Sequence, residues 1–104
     1  MKLKIIFTTT SSKDNAKNMA KSLVESKLSP CVQMVKNIKS TYRWDDEVKS
    51  EKEYLLMIKV AKKNVAKCMK MILDEHDHDI PEIMESDATI LNDSYGKWFK
   101  ENSK

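Results

Sequence analysis

The residue types best suited to chemistry lie in one short segment. His76 and His78 are the only histidines, and they stand two positions apart among four acidic residues: Glu75, Asp77, Asp79 and Glu82. Imidazole together with carboxylate suits Cu(II), Zn(II) or Ni(II), and copper binds most strongly in the usual affinity order. Two histidines are fewer than the three or four ligands of most protein metal centres. Two interpretations are therefore open: a transition-metal site, completed within the chain or by another subunit, or a solvated loop.

A second group of candidates lies on a pair of extended segments. Tyr42 and Trp44 share one strand face, and they are either the aromatic wall of a ligand pocket or the apolar centre of an oligomer contact, which we favour. Glu51, Glu53 and Lys59 follow on the next extended segment. They either bind a ligand or balance one another's charges across the two strands.

Because glycine and cysteine are scarce in this chain, several kinds of chemistry are excluded. The single glycine, Gly96, cannot build the glycine-rich loops that hold nucleotide phosphates, so we expect no organic cofactor. Cys31 and Cys68 form neither a zinc pattern nor a disulfide framework, and we expect both to be structural thiols, as free cysteines are usually buried. No nucleophile, base and oxyanion loop occur together. The sequence therefore favours a binding protein over an enzyme.

Composition and charge restrict the kinds of partner that we expect this protein to bind. The chain has 104 residues and a net charge of +3 with interleaved charges, which does not indicate a nucleic-acid partner. An RNA-recognition module would need a glycine and several aromatic residues in the segment 53–60, which has only Tyr54. An acylphosphatase would need an arginine after the first strand, but the only arginine is Arg43. The apolar run at residues 5–7 is too short for a signal peptide or a membrane helix, so we expect a cytoplasmic protein without a membrane partner.

The hydrophobic pattern predicts one α+β domain over residues 1–104. Alternating and helical periodicities give the order βαββαβ followed by a terminal helix. The predicted elements are strand 3–9, a helix capped by Ser12 and closed by Pro30, strand 31–44, a turn at Asp45 and Asp46, strand 48–60, helix 62–74, strand 82–91, and a short helix carrying Tyr95, Trp98 and Phe99. Two βαβ halves with both helices on one face of an antiparallel sheet give the ferredoxin-like arrangement.

The two middle strands are longer than a small domain needs. A strand of 13 residues reaches roughly 44 Å at about 3.4 Å per residue. The end of this hairpin, near Tyr42, Trp44 and Val48, should project beyond the core with apolar groups on it. Exposed edges and aromatic residues favour association. We therefore expect the hairpin to pair or pack with another subunit.

With these elements in place, the sequence resembles the CutA1 divalent-ion tolerance family. The resemblance rests on matched segments in the correct order, and it spans nearly the whole chain. The matching segments are 28–32 at the start of the second strand, Tyr42 and Trp44, then Glu51, Glu53 and Lys59 in the third strand, His76 with Pro81 and Glu82, and the C-terminal segment 93–98.

The resemblance implies a ferredoxin-like homotrimer that is locked by β-pairing of the long hairpins and is connected with tolerance to divalent cations, copper especially. It implies no enzymatic role, and the pocket residues that it carries over by position are Tyr42, Trp44, Glu51, Glu53, Lys59, His76 and Glu82. Together with the chemistry of the two histidines, this gives the first hypothesis, which is a homotrimer that binds Cu(II) or another divalent cation through His76, His78 and the neighbouring carboxylates of Asp79 or Glu82. The family is also similar in architecture to the PII signalling proteins. The alternative function is therefore a trimeric regulator that binds a small anionic ligand near Lys59, in clefts between subunits walled by Tyr42 and Trp44.

Three departures from the family pattern bear on the site. Asp46 stands where the family usually has glycine, so the hairpin turn is expected to differ. His78 replaces a tyrosine and adds an imidazole. Phe7 occupies the position at which some members carry a cysteine linked to copper, so a thiolate copper site is not expected there.

Overall fold

A computed structural model describes residues 1–104 as one four-stranded antiparallel sheet with three α-helices. The elements are β1 (Lys2–Thr10), α1 (Lys13–Glu25), β2 (Cys31–Trp44), β3 (Glu47–Val60), a single 3₁₀ turn (Lys62–Asn64), α2 (Val65–Glu75), β4 (Ile83–Thr89) and α3 (Asp93–Glu101). The strands lie in the order β2-β3-β1-β4. This order and the helix positions confirm the predicted ferredoxin-like α+β fold. None of the three helices is long and apolar enough to cross a membrane.

The core lies between one face of the sheet and the helices α1 and α2. The sheet contributes Ile6, Leu56, Ile58 and Val60, and the helices contribute Ala16, Met19, Leu23, Cys68 and Ile72. These helical residues recur at the spacing of one helix face, which is why the sequence forms amphipathic helices here. The opposite face of the sheet is left without a covering layer from α1 or α2.

The first helix begins as predicted and ends earlier than predicted. Ser12 is its N-cap, and the Ser12 hydroxyl accepts a hydrogen bond from the backbone N–H of Asn15 at 3.1 Å. The helix ends at Glu25, well before Pro30, because Lys27 adopts a left-handed backbone with φ of 63°. A left-handed residue just beyond the last turn is a common helix stop.

The fourth strand is also shorter than predicted, at Ile83–Thr89 rather than 82–91. Its antiparallel hydrogen bonding continues one pair further, because the N–H of Ile90 donates to the carbonyl oxygen of Met1 at 2.8 Å. Glu82 lies before the strand, where Pro81 supplies no N–H to the ladder.

A β-bulge changes the face on which the second half of β2 presents its side chains. Val35 pairs with Leu55 but Ile38 pairs with Glu53, so two residues of β2 oppose one of β3. Asn37 lies in the bulge with φ of 60°, a conformation that asparagine tolerates. The sequence pattern predicted that Val32, Met34, Ile38, Tyr42 and Trp44 share one face, and this is wrong. An extra residue inverts the alternation, so the last three lie on the face away from α1 and α2.

The β2–β3 hairpin projects as expected. The molecule measures 47 × 25 × 21 Å, and near the tip of the hairpin Trp44 is 44% exposed and Val48 is 68% exposed. The connecting residues Asp45 and Asp46 have φ of 50° and 62°. Positive φ at both central positions is what a type I′ hairpin turn requires, and glycine is preferred at the second of them.

Replacing Asp46 by glycine should therefore stabilise the protein. Glycine adopts positive φ without the steric cost that a Cβ atom brings, so Asp46→Gly is expected to raise the free energy of unfolding by about 0.5 to 1 kcal/mol. Urea denaturation at a fixed protein concentration measures the change. Ser50→Gly, in the extended part of β3, is the control and should destabilise. Equal shifts in the same direction for both variants would contradict the turn assignment.

Candidate metal and ligand site

An open groove lies on the sheet face opposite the two long helices, beyond the C-terminal end of β1. It encloses about 600 Å³ between the projecting hairpin and the loop that joins α2 to β4. The hairpin contributes Ser40, Thr41, Tyr42, Trp44, Lys49, Glu51 and Glu53, the loop contributes His78, Asp79, Ile80 and Glu82, and β1 contributes Thr9. The bulge in β2 is what brings the two aromatic residues to this face.

Most of the residues selected from the sequence meet in this groove. Tyr42 and Trp44 form part of its wall together with Glu51 and Glu53. The Tyr42 hydroxyl donates a hydrogen bond to Glu51 Oε1 at 2.6 Å, and this bond is the main reason that the pKa of Tyr42 is raised. Tyr42 is therefore held as a neutral hydrogen-bond donor, and its ring is fixed beside the glutamates.

Glu53 is the least exposed acidic residue of the groove. The residue is only 7% exposed, yet its carboxylate makes no hydrogen bond or ion pair within the chain and it lines the groove. The only buried side-chain nitrogen or oxygen atom without a partner is the Thr8 hydroxyl oxygen, so the carboxylate of Glu53 keeps its contact with solvent through the groove. The sequence identified Glu53 as a candidate but did not indicate that it is buried.

Lys59 does not join this group. It lies six residues further along β3 than Glu53, which corresponds to roughly 20 Å at the usual rise of a strand. Its ammonium group donates to the Tyr95 hydroxyl at 3.3 Å and lies 5.4 Å from the centre of the Tyr95 ring. Within one chain, Lys59 is therefore associated with α3 and not with the groove.

The two histidines have different environments. The side chain of His76 is completely buried, and both of its ring nitrogens are engaged. Nδ1 accepts a hydrogen bond from the backbone N–H of His78 at 3.0 Å, so the proton of the neutral ring is on Nε2, which donates to the carbonyl oxygen of Thr9 at 2.8 Å. His76 thus fastens the loop to the end of β1 and offers no free nitrogen to a metal ion.

His78 is the accessible histidine, with 36% of its side chain exposed. Its Nε2 lies 3.8 Å from Asp77 Oδ1, and the ring centroids of His76 and His78 are 4.8 Å apart. The potential ligand atoms of His76, Asp77 and His78 all lie within 4.8 Å of one another. Asp77 was not among the predicted ligands, although its position between the two histidines was a signal for it. Asp79 and Glu82 line the groove beside His78 and do not belong to this compact cluster.

The loop that carries the cluster is tied to β1 and α1 by side-chain hydrogen bonds. Asp77 Oδ1 accepts from the Thr10 hydroxyl at 2.9 Å. The Asn15 amide donates to the carbonyl oxygen of Glu75 at 2.8 Å, and the Ser22 hydroxyl donates to the Glu75 carboxylate at 2.8 Å. These contacts fix the backbone of Asp77 and His78 beside the mouth of the groove.

Neither cysteine belongs to the site. Cys68 is fully buried in the core, and burial raises the pKa of its thiol to about 11. It therefore remains protonated near neutral pH and does not act as a thiolate ligand. Cys31 is partly exposed at the start of β2.

Comparison with known proteins places the chain in a family. The CutA1 divalent ion tolerance protein family model matches residues 4–102. The divalent-cation tolerance protein CutA of Thermus thermophilus is 32% identical over 99 residues, which cover 95% of this chain and 96% of that protein. The chloroplastic CutA protein of Arabidopsis thaliana is 30% identical over 100 residues, and the aligned region covers 96% of this chain but only 55% of that protein.

Solved structures agree with this assignment. The divalent cation tolerance protein Cut A1 from Thermus thermophilus has a TM-score of 0.91 at 32% identity, with both chains fully covered. CutA1 from Oryza sativa has a TM-score of 0.92 at 27% identity, and the match covers 99% of this chain and 94% of that one. The chain belongs to the CutA1 divalent ion tolerance protein family, which confirms the resemblance found in the sequence.

The two histidines should respond differently to truncation. His76→Ala leaves the carbonyl of Thr9 and the N–H of His78 without partners, so it is expected to lower the free energy of unfolding by about 2 to 4 kcal/mol. His78→Ala removes a partly exposed ring and should cost less than about 1 kcal/mol. Thermal or urea unfolding at one protein concentration measures both. If His78→Ala is the more destabilising variant, the structural role assigned to His76 is wrong.

Proposed function

We propose that this protein binds Cu(II), and more weakly other divalent cations, at a site built on His78 and Asp77 at the mouth of the groove. The observation that supports this most directly is the closeness of two ligand groups: His78 Nε2 lies 3.8 Å from Asp77 Oδ1, in a cluster that the buried ring of His76 holds in place. The names of the family and of its Thermus relative refer to divalent-cation tolerance. Imidazole with carboxylate favours copper among the common divalent ions.

The roles within the site follow from the hydrogen bonds. His78 supplies an imidazole nitrogen and Asp77 supplies a carboxylate oxygen. His76 is a positioning residue, because its Nδ1 holds the His78 backbone and its Nε2 holds Thr9. Asp79 and Glu82 lie along the same groove and are the further oxygen donors in our proposal. Two principal ligands leave open coordination positions, which suits an ion that is taken up and released rather than one held permanently.

Copper titration with matched variants tests the proposal. Metal-stripped protein in a Cys31→Ser background, which removes the partly exposed thiol, is titrated with Cu(II) by calorimetry. We expect saturable binding with micromolar or tighter affinity. His78→Ala and Asp77→Asn should each weaken it by about tenfold or more, because each removes one ligand.

The control is Asp74→Asn, which removes an exposed carboxylate of α2 from outside the cluster. It should leave the affinity within about twofold of the starting protein. Equal losses for Asp74→Asn and His78→Ala would mean that copper binds through diffuse surface charge and would reject this site.

The proposal includes assembly as a homotrimer through the uncovered sheet face and the projecting hairpin. Val35 and Met84 lie on this face and are 41% and 57% exposed, and Trp44 and Val48 add apolar area on the hairpin. Exposed apolar groups on a sheet face and on a projecting hairpin favour association. A domain of this size also gains stability from a partner, because it buries a limited fraction of its own surface.

Assembly is tested by mass and by a pair of matched variants. Light scattering after gel filtration should give a mass three times that of the 12.1 kDa chain. Val35→Lys should weaken the assembly, whereas Val24→Lys should not, because Val24 has nearly the same exposure, 42%, but lies on α1. A monomeric mass at micromolar concentration, or equal effects of the two variants, would contradict the proposed surface.

The alternative function, a PII-like regulator that binds a small anionic ligand, has less support. Lys59 lies with α3, and the groove carries the carboxylates of Glu51, Glu53, Asp79 and Glu82 against a single lysine, Lys49. This charge distribution repels anions.

A further inference from the structure

We infer that the outer surface of the two long helices is a docking surface for an acidic, amphipathic helical segment of another protein. The helical layer, residues 13–25 and 62–75, consists of α1, the 3₁₀ turn and α2. It covers the sheet face opposite the groove and opposite the proposed assembly surface. The layer therefore stays open to solvent whether the chain is single or assembled, and the inference does not rest on the proposed function.

The helical layer carries the whole net charge of the protein. It contains seven of the 19 basic residues but only four of the 16 acidic residues, so the twelve of each that remain elsewhere cancel and the layer accounts for the net charge of +3. Its basic residues are all exposed lysines, namely Lys13, Lys17, Lys21, Lys62, Lys63, Lys67 and Lys70. A surface with an excess of one charge attracts partners of the opposite charge and speeds their association.

Most of this positive charge is not used within the chain. Lys21 makes an ion pair with Glu25 at 3.7 Å, and it is the only lysine of the layer that has a carboxylate within ion-pair distance. The carboxylate of Glu75 is instead engaged by the Ser22 hydroxyl of α1 at 2.8 Å. The carboxylates of a partner can therefore pair with these lysines without first breaking a contact inside the protein.

Apolar side chains lie among the lysines. Val24 of α1 and Met69 and Leu73 of α2 are exposed. Residues three, four or seven positions apart share one face of a helix. Val24 therefore lies on the same face as Lys17, and Leu73 lies on the same face as Met69 and Lys70. Each helix thus presents lysine and an apolar side chain together.

This combination favours a protein helix over a lipid surface or a nucleic acid. A helix that lies in a membrane interface inserts a wide apolar face with aromatic residues, whereas α1 and α2 use their apolar faces for the core and contain no aromatic residue. Nucleic-acid phosphates would pair with the lysines but would leave the apolar side chains unused. A helix with carboxylates beside one apolar stripe contacts both kinds of group at once.

The composition of the layer also limits the strength of the complex. Tryptophan, tyrosine and arginine contribute most to tight interfaces, and the layer contains none of them. Ion pairs between exposed side chains contribute little each. We therefore expect weak binding that depends strongly on salt.

A designed peptide tests the inference on the metal-stripped full chain. The probe is a fluorescently labelled peptide of about 18 residues, roughly five helical turns, with leucines along one face and glutamates elsewhere. Fluorescence anisotropy at about 50 mM salt should show saturable binding with a Kd of roughly 10 to 100 µM, and about 300 mM salt should weaken it at least about fivefold. A peptide of the same composition with its leucines scattered over all faces should bind several-fold more weakly.

Two charge-reversal pairs locate the binding surface. Lys17→Glu with Lys70→Glu makes the net charge of the layer negative and should weaken peptide binding by about tenfold or more. Lys97→Glu with Lys100→Glu changes the total charge equally, on exposed residues of α3, and should leave the affinity within about threefold. All four side chains are exposed, so both variants should keep the fold, which circular dichroism checks.

A second pair of variants tests the apolar contacts. Met69→Gln with Leu73→Gln should weaken peptide binding several-fold, because it removes apolar area without changing charge. Leu91→Gln, at an exposed leucine outside the layer, is the control and should leave the affinity unchanged. His78→Ala should also bind the peptide normally, so that this inference and the proposed metal site can fail separately.

Four results would overturn the inference. The first is an absence of saturable peptide binding, and the second is an equal loss for the two charge-reversal pairs. The third is equal binding of the two peptides, since charge alone would then account for the attraction. The fourth is tighter binding to vesicles of phosphatidylcholine and phosphatidylserine, or to single-stranded DNA, than to the peptide.

Discussion

The one extra residue in β2 is the constraint on which the rest of this molecule depends. A strand alternates its side chains between two faces, so an insertion of one residue exchanges the faces for everything that follows. Before the bulge, Val32 and Met34 pack on the core beneath the helices. After it, Tyr42 and Trp44 point to the other side of the sheet, where they line the groove with Glu53. One strand therefore contributes side chains both to the hydrophobic core and to the groove.

The groove concentrates several acidic side chains on one side of this small domain. The chain has one glycine and one arginine, so it lacks the usual means of holding phosphates and carboxylates. It concentrates carboxylates, hydroxyls and aromatic rings in the groove instead. A cation that binds among these carboxylates would stabilise the folded state by mass action.

Much of this architecture was accessible from the sequence. Periodicity predicted the element order, and Ser12 marked the start of the first helix, because a serine hydroxyl at this position can accept a hydrogen bond from a backbone N–H of the first helical turn. The bulge was not accessible, since Lys36 and Asn37 carry no hydrophobic signal and the apolar residues on either side of them, Met34 and Ile38, keep the same even-numbered phase.

The sequence also did not show that the candidate residues have different roles and positions. Burial and hydrogen bonding of the His76 ring depend on Thr9, which is distant in sequence, so nothing near the two histidines distinguishes them. Glu53 and Lys59 formed one set on one strand in the sequence, and only the three-dimensional structure assigned Lys59 to α3.

The hydrogen bonds of the α2–β4 loop have a consequence for how the protein unfolds. Asn15 bonds through its side chain to Glu75 and Asp77, while its backbone N–H bonds to the Ser12 cap of α1. Thr9 and Thr10 hold the same loop from the end of β1. Opening the loop alone would break the contacts of the first helical turn and of the central strand together. The loop therefore belongs to the same cooperative unit as α1 and β1, and it should not open through the low-energy local fluctuations that are common in surface connections.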